Sequence, residues 1–261
     1  MPSKINRTAR LPGASSDNRP LDLLYGRKAI SEALRSRRHV HRLLIARDTD
    51  GVDALISSAR SRSVPVETVE RDRLDRLLPH AHHQGVAAQV SRFTYARLDD
   101  LLTFADQSGQ PPLLLVLDSL QDPQNFGTLL RTAQACGVHG VVIPEHRSVS
   151  VTPAVSNASA GAVEHLQVAR VTNLTRALQT LKRQRVWTYG LMVDAPEPFW
   201  TVDWRAPSAV VVGSEGVGLG RLVRDTCDAL VSIPMARGAI QSLNASIAGS
   251  IVLYEALRQR R

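Results

Sequence analysis

Aromatic side chains make up only 4% of this 261-residue chain. So few rings leave little material for a surface that grips nucleobases by stacking. Cysteine is rarer still, with two residues, Cys136 and Cys227. Both fall inside predicted helices and neither stands in a metal-ligand pattern. They are read as small buried hydrophobes of a reducing compartment, not as a disulfide. No metal is expected. His80, His82 and His83 crowd one stretch, but no ligand partner stands at metal spacing beside them, and exposed turn residues are the plainer reading.

Long apolar runs are also missing. Nothing approaches the ~20 residues of a membrane-spanning helix, and the opening MPSKINRTARLPG lacks the apolar centre of a secretory signal. A cytoplasmic protein with no membrane partner is expected. No segment recurs at a fixed period, so a solenoid is excluded. Negative charge is in deficit: 24 acidic residues face 32 basic ones, giving a formal net charge of +8. Nearly all the cations are arginine. The balance points to a phosphate-bearing partner, although an arginine-rich proteome gives the same bias without one. Hydrophobic residues, at 43%, suffice for one large or two modest domains.

What the chain does have is a concentration of glycine near its C-terminus. An apolar strand ending at Val212 runs into Gly213, Gly216, Gly218 and Gly220. This is not a dinucleotide fingerprint, because G-x-G-x-x-G from Gly216 needs glycine where Arg221 stands. Nor is it a phosphate loop, because Leu219 occupies the place of the required lysine. A nicotinamide enzyme is thereby disfavoured. A second strand ends in Ile233-Pro234-Met235, and Ser242-Leu243-Asn244 opens a long final helix. Two strand ends followed by backbone-exposing loops make a binding site.

The rest of the chain divides by composition. Residues 1–21 are polar and aperiodic, and are read as a disordered basic tail. Residues 22–94 alternate helix and strand: helix 27–37, strand 41–46, helix 52–62, strand 64–69, helix 71–78 and strand 85–90. Residues 95–112 hold a helix-like stretch and a Gly/Pro-rich linker. From 113 onward the βα alternation predicts a parallel sheet covered by helices. Its expected elements are strand 113–117, a helix from Asp122 to about Cys136, strand 140–144, a short helix through Val155, strand 163–168, helix 174–183 and strand 186–192. Asp122 is an N-cap with Pro123 at N1.

Three stretches, Asp122-Pro123-Gln124-Asn125-Phe126-Gly127 with Arg131, Gly213-Ser214-Glu215-Gly216, and Ile233-Pro234-Met235 with Ser242-Leu243-Asn244-Ala245-Ser246, resemble the ordered motifs of the SpoU/TrmH family of RNA 2′-O-ribose methyltransferases. Ser159-Ala160-Gly161-Ala162 is a softer fourth match. The resemblance covers about 113–261, and more loosely 24–90, where His83-Gln84-Gly85-Val86-Ala87 is similar to a ribosomal-protein-like substrate domain.

The resemblance implies an α/β fold: a small RNA substrate-binding domain over 22–94, then a parallel-sheet α/β-knot (SPOUT) methyltransferase domain over 113–261 with a trefoil knot. It implies S-adenosylmethionine as cofactor, held by Gly213, Ile233, Met235, Ser242 and Leu243, and a homodimer with a composite site. Arg131, Asn125, Glu215 and Asn244 are the implied catalytic residues. A guanidinium is a poor base, so Arg131 is assigned to phosphate binding and alkoxide stabilisation, with a base role open if a local field strips its proton. Gly127, one turn earlier, is expected to leave room for ribose. Asn125 and Arg131 lie about 240° apart on an ideal helix and do not share a face: either Asn125 lies in an irregular first turn, or the two serve different parts of a composite site. Glu215 either caps a helix or orients Arg131, and Asn244 satisfies loop backbone or a cofactor carboxylate. On the last helix, Leu243, Ile247, Ile251 and Tyr254 form an apolar stripe, and Ala245, Ala248 and Gly249 a small face suited to close helix approach, expected across a dimer. Val217, and a loop over 236–241 longer than in relatives, are the departures. The expected substrate is a guanosine of large-subunit ribosomal RNA. A transfer-RNA methyltransferase and a catalytically silent RNA-binding protein are the alternatives.

Overall fold

The computed structural model describes residues 21–236 and 242–261. Residues 1–20 of the tail expected over 1–21, and most of the 236–241 loop, lie outside the described residues, and Leu21 instead opens a strand.

The first unit is a four-stranded sheet with three helices. Its elements are β1 (Leu21–Tyr25), α1 (Arg27–Arg35), β2 (Val40–Ala46), α2 (Asp53–Ser61), β3 (Val66–Val69), α3 (Arg71–Leu77) and β4 (Val86–Ser91). The spatial order is β1-β4-β2-β3. β1 was not expected from the sequence. It is a short strand whose partner, β4, lies far along the chain, and the two pair antiparallel from Leu21↔Ser91 to Tyr25↔Ala87. α1 stops at Arg35, short of the expected Arg37, where the Ser36 N–H turns back to the Ala33 carbonyl. His83 is no exposed turn residue. It is buried, its Nε2 lies 2.8 Å from an Asp75 oxygen and its Nδ1 accepts the Gly85 N–H.

The second unit begins with α4 (Leu98–Ser108), within the stretch expected to hold a linker. The Asp100 carboxylate reaches back to the Arg97 N–H and fixes its first turn. Leu101 is fully buried against Gly140, where a Cβ would meet its methyl groups at 2.7 Å. Burying such a leucine contributes about 1.5–3 kcal/mol, so α4 is bound to this unit.

Then follow β5 (Leu113–Leu117), α5 (Pro123–Ala135), β6 (Gly140–Pro144), α6 (Pro153–Ala158), a 3-10 turn at Ala162–His165, β7 (Val168–Val171), α7 (Leu174–Arg183), β8 (Trp187–Leu191), β9 (Glu197–Pro198), β10 (Ser208–Val212), α8 (Arg221–Thr226), β11 (Ala229–Ser232) and α9 (Ala245–Arg260). The seven strands order as β7-β6-β5-β10-β8-β11-β9 and every pairing is parallel. β5 and β10 are buried along their whole length, as continuous apolar strands at the centre of a parallel sheet should be.

Two expectations shift here. α6 runs three residues past Val155, and the strand expected over 163–168 begins only at Val168. Gly161, at φ +83°, turns the chain into the 3-10 segment instead.

The two units meet at a polar seam made by α6 and that 3-10 turn. Arg38 donates to Glu164 at 2.8 Å, to Asp22 at 2.7 Å and to the Ser91 carbonyl at 2.8 Å. The Arg38 and Glu164 side chains are 6% and 1% exposed. Burial pushes the Glu164 carboxyl up from its ordinary value, outweighing the pull of Arg38. Asn157 donates to the Tyr25 carbonyl at 3.1 Å, and His165 lies 2.8 Å from Glu32. A Cβ at Gly161 would meet Glu32 Cβ at 2.6 Å. The softer Ser159–Ala162 motif therefore serves the junction between the units.

α9 returns to the middle of the sheet and packs on α5 and β10. Its last turn is tied down by Arg260, which donates to the carbonyls of Trp204, Pro111, Pro112 and Ala206. Both cysteines are free, and burial pushes Cys136 up to about 11 and Cys227 up to about 12, so neither is poised as a thiolate. Among the described residues, no helix is long and apolar enough to cross a membrane, and no three or more His, Cys, Asp or Glu could hold a metal ion.

Candidate active site

The glycine run closes on itself just past β10. Ser214 and Gly218 exchange backbone hydrogen bonds of 3.1 and 2.9 Å. A Cβ at Gly213 would sit 2.2 Å from the Gly218 carbonyl carbon. Glycine is required there because the loop folds back over it. Gly216 and Gly218, at φ +77° and +71°, make the reversal. The far end is pinned by Asp118, a buried residue just past β5, whose carboxylate accepts the Gly220 N–H at 2.7 Å.

This loop is one wall of a cleft at the carboxyl ends of β8, β10 and β11. Gly213, Ile233, Met235, Ser242 and Leu243, the five residues assigned to cofactor, all line it. Leu191, Met192 and Val193 at the end of β8 form a wall that the motifs gave no reason to single out. Among the described lining residues Glu215 is the only charged side chain. The described apolar walls fit an uncharged nucleoside and a thioether-like chain.

Beside the cleft, three segments distant in sequence meet in one hydrogen-bond network. Asp122 caps α5 by accepting the N–H groups of Gln124 at 3.3 Å and Asn125 at 3.0 Å, which puts Asn125 in the first turn. The Asn125 side-chain amide donates to Glu215 Oε1. Asn244 Nδ2 donates to the same Glu215 oxygen at 2.6 Å and to Asn125 Oδ1 at 3.0 Å. Asn244 Oδ1 caps α9, accepting the Ser246 N–H at 2.8 Å and the Ile247 N–H at 3.3 Å. Glu215 thus neither caps a helix nor touches Arg131 within the chain. Asn244 does satisfy backbone, but the backbone of a helix.

Ser246 joins this network from below, its Oγ 2.6 Å from Asn244 Oδ1 and 3.1 Å from Asn125 Oδ1. It stands in the third motif, but the sequence reading gave it no role. The available signal was a small hydroxyl two residues past an asparagine N-cap, at the buried start of an apolar helix.

Arg131 stands elsewhere. It is exposed and makes no hydrogen bond or ion pair among the described residues. Gly127 does not make room for a ribose beside it, because a Cβ there would meet Ala158 Cβ at 2.4 Å. Its missing side chain lets α6 approach α5. The small face of α9 is likewise spent inside the chain, Gly249 lying against Leu129, where a Cβ would be 2.6 Å from a methyl. On the apolar stripe, Ile247 and Tyr254 are instead 52% and 55% exposed. α9 joins α5 through a 2.9 Å contact between the Thr132 and Ser250 hydroxyls, so the stripe and Arg131 belong to neighbouring helices. Val217, at the tip of the glycine loop, is 82% exposed.

Comparison with known proteins gives the same division. Residues 112–254 match the model described as the SpoU rRNA Methylase family, and residues 23–96 match RNA 2′-O ribose methyltransferase substrate binding. A Bacillus subtilis relative named for the TrmH family of tRNA/rRNA methyltransferases is 44% identical over 241 residues, 92% of this chain and 96% of its own. The SpoU methyltransferase AviRb from Streptomyces viridochromogenes, solved in complex with the cofactor AdoMet, is 27% identical with a TM-score of 0.77, over 91% of this chain and 90% of that one. The A. aeolicus TrmH/SpoU tRNA modifying enzyme, 27% identical with a TM-score of 0.51, covers 62% of this chain and 84% of its own.

Proposed function

The chain belongs to the SpoU methylase family of RNA 2′-O-ribose methyltransferases, which use S-adenosylmethionine, and from that premise we propose that it methylates a guanosine ribose in large-subunit ribosomal RNA as a cytoplasmic homodimer. The observation that carries the site assignment is the convergence of Asn125, Glu215 and Asn244 beside a largely apolar cleft.

When bound, S-adenosylmethionine supplies a methyl group on a sulfonium, an electrophile that needs an aligned hydroxyl and relief of that hydroxyl's proton. Ile233, Leu243 and Met235 wall the cleft and exclude water from it. Gly213 and Ser242 present backbone and hydroxyl. Glu215 brings the sign of charge a sulfonium favours. Holding the hydroxyl in line is worth several kcal/mol, so the chemical assistance required is modest. Arg131 binds the RNA phosphate and stabilises the developing alkoxide. Its exposed position on α5 serves this role when a second copy packs against the exposed Ile247 and Tyr254 of α9, so that each Arg131 reaches the other copy's cleft.

The N-terminal domain favours ribosomal over transfer RNA as substrate. The tRNA modifying neighbour covers 62% of this chain. The formal net charge of +8 suits either RNA. Ribose-methylation mapping in cells with and without the protein tests the substrate. Loss of one guanosine modification in large-subunit RNA is the expected result. Loss of a tRNA modification instead would reassign the substrate, and an unchanged map would favour a silent RNA-binding role.

A further inference from the structure

Beneath the exposed pair Glu215 and Asn244 lies a buried hydroxyl. Ser246 is 4% exposed, on the first turn of α9. Its Oγ is 2.6 Å from Asn244 Oδ1 and 3.1 Å from Asn125 Oδ1. We infer that Ser246 is a positioning residue for methyl transfer: its hydroxyl fixes which way the Asn125 and Asn244 amides face, and through them holds the Glu215 loop against the cofactor cleft. The inference rests on the assignment of that cleft to S-adenosylmethionine.

The argument follows from what an asparagine amide can do. Turned by 180°, it keeps its shape but exchanges donor for acceptor. In the observed orientation, Nδ2 of both asparagines points at Glu215 Oε1. Turning either would set a carbonyl oxygen against the carboxylate. Asn244 Oδ1 is held by two backbone N–H groups of α9, and the single Ser246 hydroxyl proton is shared between it and Asn125 Oδ1. Asn125 has less to hold it, its Oδ1 receiving only Asn244 Nδ2 and a share of the Ser246 proton. Ser246 is thus the one member of the network that touches both amides from the buried side. The loop it governs carries Gly213 to Gly218, one wall of the cleft.

The test uses the full-length protein and three substitutions: Ser246→Ala, Ser246→Thr and Ser246→Val. Threonine and valine add nearly the same volume and differ in the hydroxyl. S-adenosylmethionine Kd is read by calorimetry, KM for cofactor and kcat by methyl transfer, and folding by Tm. Alanine and valine should each raise Kd and cofactor KM about tenfold, with a smaller change in kcat. Threonine should stay within about threefold of wild type. Equal losses for threonine and valine would assign Ser246 to packing, and an unchanged Kd in the alanine variant would overturn the proposal. Leu243→Asp in the same titration separates the two ideas. If it binds cofactor like wild type, the cleft assignment fails and the Ser246 proposal falls with it. If it loses binding while alanine and valine do not, only the role of Ser246 is lost.

Discussion

The cleft and the seam between the two units handle polar groups in opposite ways. At the seam, Arg38 and Glu164 are paired and buried, and each remaining guanidinium bond goes to a protein acceptor. At the cleft, Glu215 and Asn244 stay exposed and Asn125 half-buried, with the burial moved one layer down to Ser246. Surface polar groups can meet a substrate, whereas a buried pair with every bond satisfied can only hold two bodies in place. Changes at the seam should therefore cost stability and spare cofactor binding, and changes at the cleft should do the reverse.

The largest expected effect is at the seam. Arg38→Met leaves Glu164 buried without its cation and should cost about 3–5 kcal/mol, read as a fall in Tm with cofactor Kd unchanged. A matching fall in cofactor affinity would mean that seam and cleft are coupled. Next comes Arg131→Ala, which should lower kcat by about 100- to 1,000-fold while calorimetry shows nearly normal cofactor binding. Normal turnover would remove Arg131 from the mechanism. Gly213→Ala forces a Cβ onto the Gly218 carbonyl, an overpacking cost of about 1–3 kcal/mol. Confined to the loop, that cost should appear as a cofactor Kd raised about tenfold with little change in Tm.

The smallest effect is a dependence on pH. Burial raises the Glu164 pKa in the folded state. Its contribution is therefore full below the ordinary carboxylate range and is lost as pH rises through the folded value. Glu164→Gln should flatten that part of the Tm profile. It should cost less than Arg38→Met, because Arg38 keeps Asp22. An identical pH profile in the two proteins would show that Glu164 does not titrate there.

The place of the cleft was legible in two strand ends followed by loops, while its residues were named by resemblance to a family. Ile233, Met235, Ser242 and Leu243 follow or precede regular elements at fixed offsets, and the Asp122-Pro123 cap fixes where α5 starts. α7 was legible to the residue, at Leu174–Arg183, because a strongly amphipathic run begins at the Asn173 N-cap. β1 was not, since five residues become a strand only when β4 arrives beside them. Gly127 was misread for the same reason. A bare position on a helix says that something comes close, and the sequence does not say whether it is a ribose or Ala158.

The sequence by itself determined the parallel α/β core, the two-part organisation and the strand-end loops that form the cleft. These depend on periodicity, caps and turn chemistry within a few residues of chain. Only the tertiary structure decided that Asn125, Glu215, Asn244 and Ser246 share one network, that Ser159–Ala162 serves a domain seam, and that Gly249 of α9 packs against Leu129 of α5. Each is a contact between segments far apart in sequence, and such contacts are set by how the elements pack.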